Sequence, residues 1–438
     1  MSAHEGPGEG PRPENAPPDE PTSDELTSDE GPLGDHSIPP EETETAPLRW
    51  TRWDSVAITF VTLLAAVLRF ARLDIPKAIV FDEVYYAKDA CWYVNVSKRI
   101  CEISAEQTNV HPPLAKWLIA IGIRLFGYDS FGWRVSAAVA GVVTVTLLFL
   151  LARRVLRSTL GATLAAGLLA IDLLHFVQSR VAMLDIFPPL FGVAAVLFCV
   201  YDRDRPRSTA EERMPNGLLD RPWRIAAGAA AGAAVACKWP GAFYLAIVLF
   251  LTCVWEISYR RKDGLGKPVT RFLREEAATI FVWLLIFPLV VYVFTFVGRL
   301  DGEFLAAPWK VGSWWRSWWD RQVYMYSFHR YLNATHGYES PPWSWFLLKR
   351  PVSYYISYAP NGDYGEVMST GSPFVWWAGL LAVAYVAWRW IAGLFKRRDG
   401  RWRAESFVLA GFVLSYGPWL LPFSHREAVF NFYVLPAV

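Results

Sequence analysis

"PLAKWLIAIGIRLFG", residues 113–127, is the stretch that decides how this chain meets a membrane. A helix rises ~1.5 Å per residue, so this one would be about 22 Å long, whereas a bilayer core is ~30 Å thick. Lys116 and Arg124 interrupt its apolar residues. The stretch therefore predicts a helix that lies at the outer membrane interface without crossing, with both cationic side chains at the lipid headgroups.

The rest of the chain has the composition of a polytopic membrane protein. Of its 438 residues 53% are hydrophobic and 16% are aromatic, and the mean hydropathy is +0.20. Such values are unusual for a soluble enzyme. Nine further apolar runs approach the ~20 residues that a crossing helix needs. They span roughly residues 55–73, 132–152, 159–177, 184–201, 225–238, 240–257, 277–297, 374–393 and 406–422.

The distribution of charge sets the orientation of these crossings. Residues 1–47 contain thirteen acidic residues, one basic residue and few large apolar ones, so we expect a disordered acidic tail in the cytoplasm. The remaining chain has 42 basic residues against 28 acidic ones. If 113–127 does not cross, the arginine-rich connections all lie inside, as the positive-inside rule requires. A crossing there would move every one of them outside.

Two long segments then face outward, residues 74–131 and 298–373. The second is rich in tryptophan and predicts another helix at the membrane surface. The last residues, FNFYVLPAV (430–438), look like the start of a further crossing in a truncated chain. We therefore expect residues 48–438 to form one transmembrane domain of about 9–11 helices. The protein would be a multi-pass protein of the plasma membrane.

Ionisable side chains collect near the outer ends of the predicted crossings. They are an acid pair, Asp82 and Glu83, and five potential cations, Arg69, His111, Arg134, Arg180 and Lys238. Each cation has an ordinary alternative, because arginine and lysine can snorkel to headgroups and a histidine can simply begin a helix. Together they would supply a proton acceptor and a binding site for a lipid phosphate.

Several blocks of sequence occur in the order found in one enzyme family. They are FDEVYYAKDA (81–90), HPPLAKW (111–117), FGWRVSAAVAG (131–141), SRVAMLD (179–185), KWPGAF (238–243), YLNATHGYESPPWSWFLLKRPVSYY (331–355) and STGSPFVWWAG (369–379). Over residues 55–438 the chain resembles the protein O-mannosyltransferases, particularly the bacterial ones. The resemblance implies an all-α membrane glycosyltransferase of GT-C fold. Segment 298–373 is too short for the β-trefoil inserts of eukaryotic members.

The resemblance also implies a reaction with an extracytoplasmic active site. Mannose would pass from polyprenyl-phosphate mannose to Ser or Thr hydroxyls of secreted proteins, with inversion of the anomeric centre. The family's acid pair corresponds to Asp82 and Glu83, its first-helix arginine to Arg69, and the arginine after its HPP block to Arg134. We assign proton acceptance to Asp82. Glu83 would orient Asp82, the acceptor or a neighbouring arginine.

The donor phosphate needs cations, because it leaves as an anion. Arg134 and Lys238 are the first choices, followed by Arg69, Arg180 and His111, and His111 could equally contact the sugar. An acid pair can also hold Mg²⁺ or Mn²⁺. We expect neither a metal nor another cofactor, because a third well-placed carboxylate is lacking in the sequence.

Other readings stay open at this point. A GT-C transferase could use the same donor on a lipid or cell-wall glycan, and a multipass transporter is a third, less favoured class. The expected partners are the bilayer, the donor lipid and acceptor proteins, with the secretion translocon as a candidate and no nucleic acid. Cys91 and Cys101 share the first outer segment, so we expect a disulfide between them.

Overall fold

The computed structural model describes residues 48–94, 99–103, 106–205, 217–262, 266–297, 314–395, 404–421 and 428–438. The expected acidic tail, 1–47, and the first part of the tryptophan-rich segment, 298–313, lie outside the described residues. The described chain is mainly helical, which agrees with the all-α prediction. Its α-helices are α1 (Arg52–Phe70), α2 (Glu83–Val94), α3 (Leu114–Phe126), α4 (Ser130–Leu156), α5 (Thr159–Ile171), α6 (Leu173–Gln178), α7 (Phe187–Asp204), α8 (Pro222–Cys237), α9 (Ala242–Lys262), α10 (Pro268–Glu275), α11 (Ala277–Phe281), α12 (Phe287–Phe294), α13 (Trp314–Tyr331), α14 (Pro373–Phe395) and α15 (Ala404–Tyr416).

Among the described residues, six helical segments are long and apolar enough to cross a membrane. They are Arg52–Phe70, Ser130–Leu156, Leu184–Asp204, Trp239–Arg261, Ala277–Phe294 and Pro373–Gly393. Each coincides with one of the nine predicted runs. The other three runs form the shorter helices α5 with α6, α8, and α15. The run 159–177 is divided because Asp172 ends α5 and caps α6, accepting a hydrogen bond from the His175 amide at 3.0 Å. The multi-pass class is confirmed, and the count of 9–11 crossings stays a prediction.

Ion pairs show which helix ends lie together. At one end of the bundle, Asp54 at the start of α1 binds Arg153 at the end of α4, with Nε and Oδ1 2.5 Å apart. Arg154 of α4 reaches Asp204 at the end of α7 at 3.1 Å. The other ends of these helices therefore gather on the opposite side. That side carries the connections after α1, α6 and α8, and with them all the predicted site residues.

Buried charges hold the first end together, although the sequence analysis placed these residues in connections between crossings. Arg224 at the start of α8 is 1% exposed and binds Asp202, Glu256 and Glu276 at 3.1, 3.3 and 2.7 Å. Arg260 of α9 binds Glu256 and Glu276 as well, at 2.7 and 3.1 Å. Because buried charges are costly unless they are paired, this network fixes α7 to α11 against one another.

The short helix α3 packs into the protein more deeply than the sequence suggested. Lys116 is fully buried, so its predicted place at the headgroups is wrong, whereas Arg124 is exposed. The Lys116 ammonium binds Asp89 at 2.9 Å and Glu106 at 3.1 Å. Lys116 lies inside the first outer segment because these two carboxylates neutralise its charge there. A disulfide between Cys91 and Cys101 closes the same segment, as expected.

The second outer segment contains a small sheet that the sequence did not predict. Strands β1 (Val352–Tyr358) and β2 (Tyr364–Ser369) pair antiparallel, with a bulge between Ser353 and Tyr355. Residues Asn431–Ala437 form a buried 3₁₀ helix beside this hairpin, where we expected the start of a crossing. Asn431 Nδ2 donates to the Ser369 carbonyl at 3.1 Å and joins the two.

A glycine on α8 provides a test of the helix packing. A Cβ at Gly228 would lie 1.8 Å from the Trp283 carbonyl oxygen of the π-helical turn Val282–Ile286. Gly228→Ala should therefore lower the free energy of unfolding by about 1–3 kcal/mol, because backbone must move. We expect a lower apparent unfolding temperature of the purified protein in detergent.

Gly167→Ala on α5 is the matched control, because a Cβ there meets nothing within 4 Å. This change should be neutral or stabilise by up to roughly 1 kcal/mol, since alanine favours a helix. Equal unfolding temperatures for the two variants would contradict the packing of α8 against the π-helical turn.

Candidate active site

The acid pair lies where a tight turn leads into α2. The Glu83 amide donates to the Val80 carbonyl at 2.9 Å, and Phe81 inside the turn has a positive φ of +46°. The Asp82 carbonyl accepts from the amides of Tyr85 and Tyr86 at 2.9 and 3.0 Å, so α2 begins at once. The two neighbouring side chains consequently have different surroundings. Glu83 is fully buried, whereas Asp82 is half-buried.

Glu83 forms a two-pronged ion pair with Arg134 at the start of α4. Nε of Arg134 lies 2.8 Å from Oε1, and Nη2 lies 2.9 Å from Oε2. Each carboxylate oxygen also accepts a backbone amide at 2.9 Å, Oε2 from Val80 and Oε1 from Ala182. Glu83 thus joins the turn before α2, the start of α4 and the connection after α6. Of the roles considered for Glu83, the structure supports the orientation of a neighbouring arginine.

Arg134 has no N–H group left for a donor phosphate. Besides its two bonds to Glu83, Nη2 donates to the Ala78 carbonyl at 2.9 Å, and Nη1 donates to those of Pro76 at 2.7 Å and Leu73 at 3.3 Å. These bonds use all the donors of a guanidinium. In this structure Arg134 holds the loop 73–80 around the acid pair, and its expected contact with the donor phosphate stays a prediction.

Arg180 and Arg69 also bind protein groups near the end of α1. Arg180 donates from Nη1 to the carbonyls of Leu68, Arg69 and Ala71 at 2.8–2.9 Å and caps the helix. Burial and the nearby Arg134 lower the pKa of Arg180. Arg69 is fully buried and contacts the Ala170 carbonyl at 3.2 Å and His175 Nδ1 at 2.7 Å. Its guanidinium lies between α1 and the α5–α6 junction, and its expected phosphate contact stays a prediction.

Lys238 is held at the turn after α8 by a carboxylate and an aromatic ring. Its ammonium binds both oxygens of Asp185, at 2.8 and 2.9 Å, and lies 4.8 Å from the centre of the Tyr433 ring. Both charged residues are buried to more than nine-tenths. Asp185 follows Ala182 in the connection after α6, and the Ala182 amide donates to Glu83. This connection therefore links the Lys238–Asp185 pair to the acid pair. No sequence pattern distinguished Tyr433 as a neighbour of this pair.

His111 lies in an aromatic group together with His329 of α13. The two rings are 5.0 Å apart, and His329 Nε2 is 2.7 Å from the Val110 carbonyl oxygen. The His329 ring is also 5.7 Å from that of Trp239, the residue after Lys238. The end of α13 therefore touches both the HPP loop and the Lys238 turn. The tryptophan-rich stretch predicted a helix, but its pattern did not distinguish His329.

A buried charge cluster attaches α13 to the first outer segment. Arg321 of α13 binds Glu106 at 2.6 Å, and Glu106 accepts from Tyr93 at 2.8 Å and binds Lys116. Burial alone would raise the pKa of Glu106, but Lys116 and Arg321 hold that pKa below its usual value. Burial dominates for Asp89, whose pKa is raised despite Lys116. The tryptophan-rich helix is thus bound to the loop that carries the acid pair.

Tyr354 of β1 is another neighbour of the acid pair that the sequence analysis did not identify. Its ring is stacked on that of Phe81 with centres 4.4 Å apart and planes at 17°. Burial raises the pKa of its phenol well above the usual value, and the carboxylates of Asp185 and Asp82 raise it further. The available signal was the position of Tyr354 in the block 331–355, which resembles the family.

Within the described residues, no group of three or more His, Cys, Asp or Glu side chains is arranged to hold a metal ion. The two carboxylates near Asp82 are instead bound by cations, Glu83 by Arg134 and Asp185 by Lys238. The predicted independence from metals stays a prediction.

The six long apolar helices define a polytopic membrane protein, and its fold is that of the GT-C glycosyltransferases. Residues 59–133 and 129–299 match the family of dolichyl-phosphate-mannose-protein mannosyltransferases. Residues 314–437 match the C-terminal four-transmembrane region of protein O-mannosyltransferases. The chain belongs to the protein O-mannosyltransferase family and is a protein mannosyltransferase.

Individual relatives agree with this assignment. The chain is 33% identical to the polyprenol-phosphate-mannose–protein mannosyltransferase of Mycolicibacterium smegmatis, over 87% of this chain and 79% of the relative. It is 32% identical to the enzyme of the same name from Mycobacterium tuberculosis, over 82% and 74%. The fold resembles that of the Saccharomyces cerevisiae Pmt1-Pmt2 complex bound to the sugar donor, with a TM-score of 0.69 at 16% identity, covering 90% of this chain and 85% of that one.

We expect the protein to lose stability when the geometry of the Glu83–Arg134 pair is changed. Arg134→Lys keeps the charge but cannot make the forked contact or reach the carbonyls, so we expect the free energy of unfolding to fall by about 1–3 kcal/mol. Thermal unfolding in detergent measures this. Arg124→Lys, on the exposed face of α3, is the matched control and should leave the unfolding temperature unchanged. An Arg134→Lys protein as stable as this control would contradict the framework role.

Proposed function

We propose that the chain transfers mannose from polyprenyl-phosphate mannose to Ser or Thr hydroxyls of exported proteins. Bacterial relatives carry the name polyprenol-phosphate-mannose–protein mannosyltransferase, and the structurally similar yeast complex was determined with a sugar donor. The observation that carries the proposal is the contrast within the acid pair. Glu83 is buried and bound by Arg134, whereas Asp82 is half-buried at the same helix start.

Asp82 acts in this proposal as the general base. An ordinary aspartate has a pKa of ~3.9 and is therefore ionised at neutral pH. Asp82 takes the proton of the acceptor hydroxyl while the hydroxyl oxygen bonds to the anomeric carbon. The bond from that carbon to the phosphate oxygen breaks, and polyprenyl phosphate leaves with the electron pair. Attack opposite the leaving group inverts the anomeric centre.

The donor phosphate is assigned to the side of the site that Lys238 and His111 form. Arg134 uses all its N–H groups within the protein, whereas Lys238 has three N–H donors and Asp185 offers it two oxygens. His111 lies beside the same turn through His329 and Trp239. An ammonium held in this way stabilises the negative charge on the leaving phosphate.

We assign this site to the outer face of the plasma membrane and the N-terminus to the cytoplasm. The ion-paired arginines Arg153, Arg224 and Arg260 lie at the end of the bundle opposite the acid pair, which fits the positive-inside rule. Acceptor proteins would then arrive as extended chains during export, which makes the secretion translocon a candidate partner.

Asp82→Asn should abolish transfer without unfolding the protein. The amide cannot accept the hydroxyl proton, and general-base catalysis contributes about 10²–10⁴-fold. The assay uses membranes with mannosyl-phosphoprenol and a threonine-rich peptide, and product is measured by mass spectrometry. Asp363→Asn, an exposed change in the hairpin turn, is the control and should keep full activity. Full activity of Asp82→Asn would overturn the base assignment, and hexose found on lipid or glycan instead of peptide would overturn the acceptor class.

Removal of divalent metals should leave the rate unchanged. Positive charge for the phosphate comes from side chains in this mechanism, so a chelator has nothing to withdraw. The measurement is the transfer rate of purified enzyme with excess EDTA, and again after Mg²⁺ or Mn²⁺ is restored. A rate that falls with EDTA and returns with one of these ions would contradict the proposal.

A further inference from the structure

The turn that carries Asp82 has an unfavourable backbone conformation. Phe81 has a φ of +46°, in the left-handed region that residues with large side chains rarely adopt. Such a conformation persists only where the surroundings determine it. Glu83 fixes the turn on one side through Arg134 and the Val80 amide. The Phe81 side chain must fix it on the other side.

Aromatic rings from separate parts of the second outer segment and the C-terminal segment surround Phe81. Tyr354 of β1 stacks on it at 4.4 Å, and Phe432 contacts it edge to face at 6.2 Å. His336 approaches edge to face as well, at 6.4 Å. Stacked and edge-to-face arrangements are those that aromatic pairs favour. The conformation of the turn therefore depends on residues more than 250 positions away along the sequence.

The Tyr354 ring is itself held in place by burial and by a hydrogen bond. It is 5% exposed, and its hydroxyl accepts from Gln178 Nε2 at 2.8 Å. Phe432 contacts it edge to face at 5.9 Å. Tyr358, at the far end of the same strand, is 79% exposed. The hairpin thus has a buried base against the acid pair and an exposed tip.

We propose that Tyr354 is a positioning residue, whose ring stacks on Phe81 and sets the direction of the Asp82 carboxylate. The inference rests on the proposed function, in which Asp82 takes the acceptor proton. Glu83 and Phe81 flank Asp82 in the chain, so the framework ion pair and the aromatic stack hold it from both sides. Loss of the stack frees the turn to leave its left-handed conformation, and the carboxylate then moves relative to the acceptor hydroxyl.

The test compares three variants in the same transfer assay. Tyr354→Ala removes the ring, and its kcat should fall about 10- to 100-fold because small misplacements of a catalytic group have effects of this size. Its KM for the donor should stay near the wild-type value, since the phosphate side of the site is unchanged. Tyr354→Phe keeps the ring and should restore most of kcat. Tyr358→Ala, at the exposed tip, should behave as wild type.

Changes at Phe81 keep the proposal testable if Tyr354→Ala does not fold. Phe81→Leu and Tyr354→Leu each remove one ring of the stack while keeping an apolar side chain. Each change should lower kcat. The kcat of the double variant should be no lower than that of the less active single variant, because both changes remove the same interaction.

The outcomes separate this inference from the proposed function. Activity in Asp82→Asn overturns the proposed function. The positioning role alone is overturned if Asp82→Asn is inactive but the kcat of Tyr354→Ala stays within about twofold of the wild-type value. Fully additive losses at Phe81 and Tyr354 overturn it as well. A low kcat in Tyr354→Ala that Tyr354→Phe restores supports it.

Discussion

The ion pair between Glu83 and Arg134 is the interaction on which the site depends. Breaking a buried pair of this kind costs about 3–5 kcal/mol, because the remaining charge is left without a partner. Here the pair also gathers the carbonyls of loop 73–80 and the amides of Val80 and Ala182. One arginine thus folds the connection after α1 against α4. The side chain next to Glu83, that of Asp82, is left half-buried at the helix start.

Buried charge pairs recur at both ends of the bundle, with different consequences. At the end of Arg224 and Arg260 they join α7 to α11, where Asp202, Glu256 and Glu276 are each bound by an arginine. At the other end the charges form separate groups that join connecting segments to helices. The Lys238–Asp185 pair and the Arg321–Glu106 pair bring the turn after α8 and the helix α13 towards the acid pair. The scaffold is therefore rigid at one end and converges on a site at the other.

Hydropathy and charge predicted the class of fold but not the fate of individual cations. The periodicity of an apolar run locates a crossing, and α1, α4 and α7 lie where they were expected. The sequence pattern of a cation near the end of an apolar run is the same whether the side chain faces lipid headgroups, a phosphate or a buried carboxylate. Lys116 and Arg134 turned out to be buried partners of acids that precede them by 27 and 51 positions. Tyr354 and Tyr433 reach the site through tertiary packing, for which a single sequence has no periodic signal.

In the proposed reaction the two acids divide their tasks, with Asp82 acting on the acceptor and Glu83 holding the framework. A structure of the enzyme with donor lipid and an acceptor peptide tests it most directly, through the contacts of the two carboxylates. We expect an Asp82 oxygen within about 3.2 Å of the acceptor hydroxyl, while Glu83 stays bound to Arg134. A structure in which Glu83 leaves Arg134 and binds the acceptor, with Asp82 turned away, would contradict it.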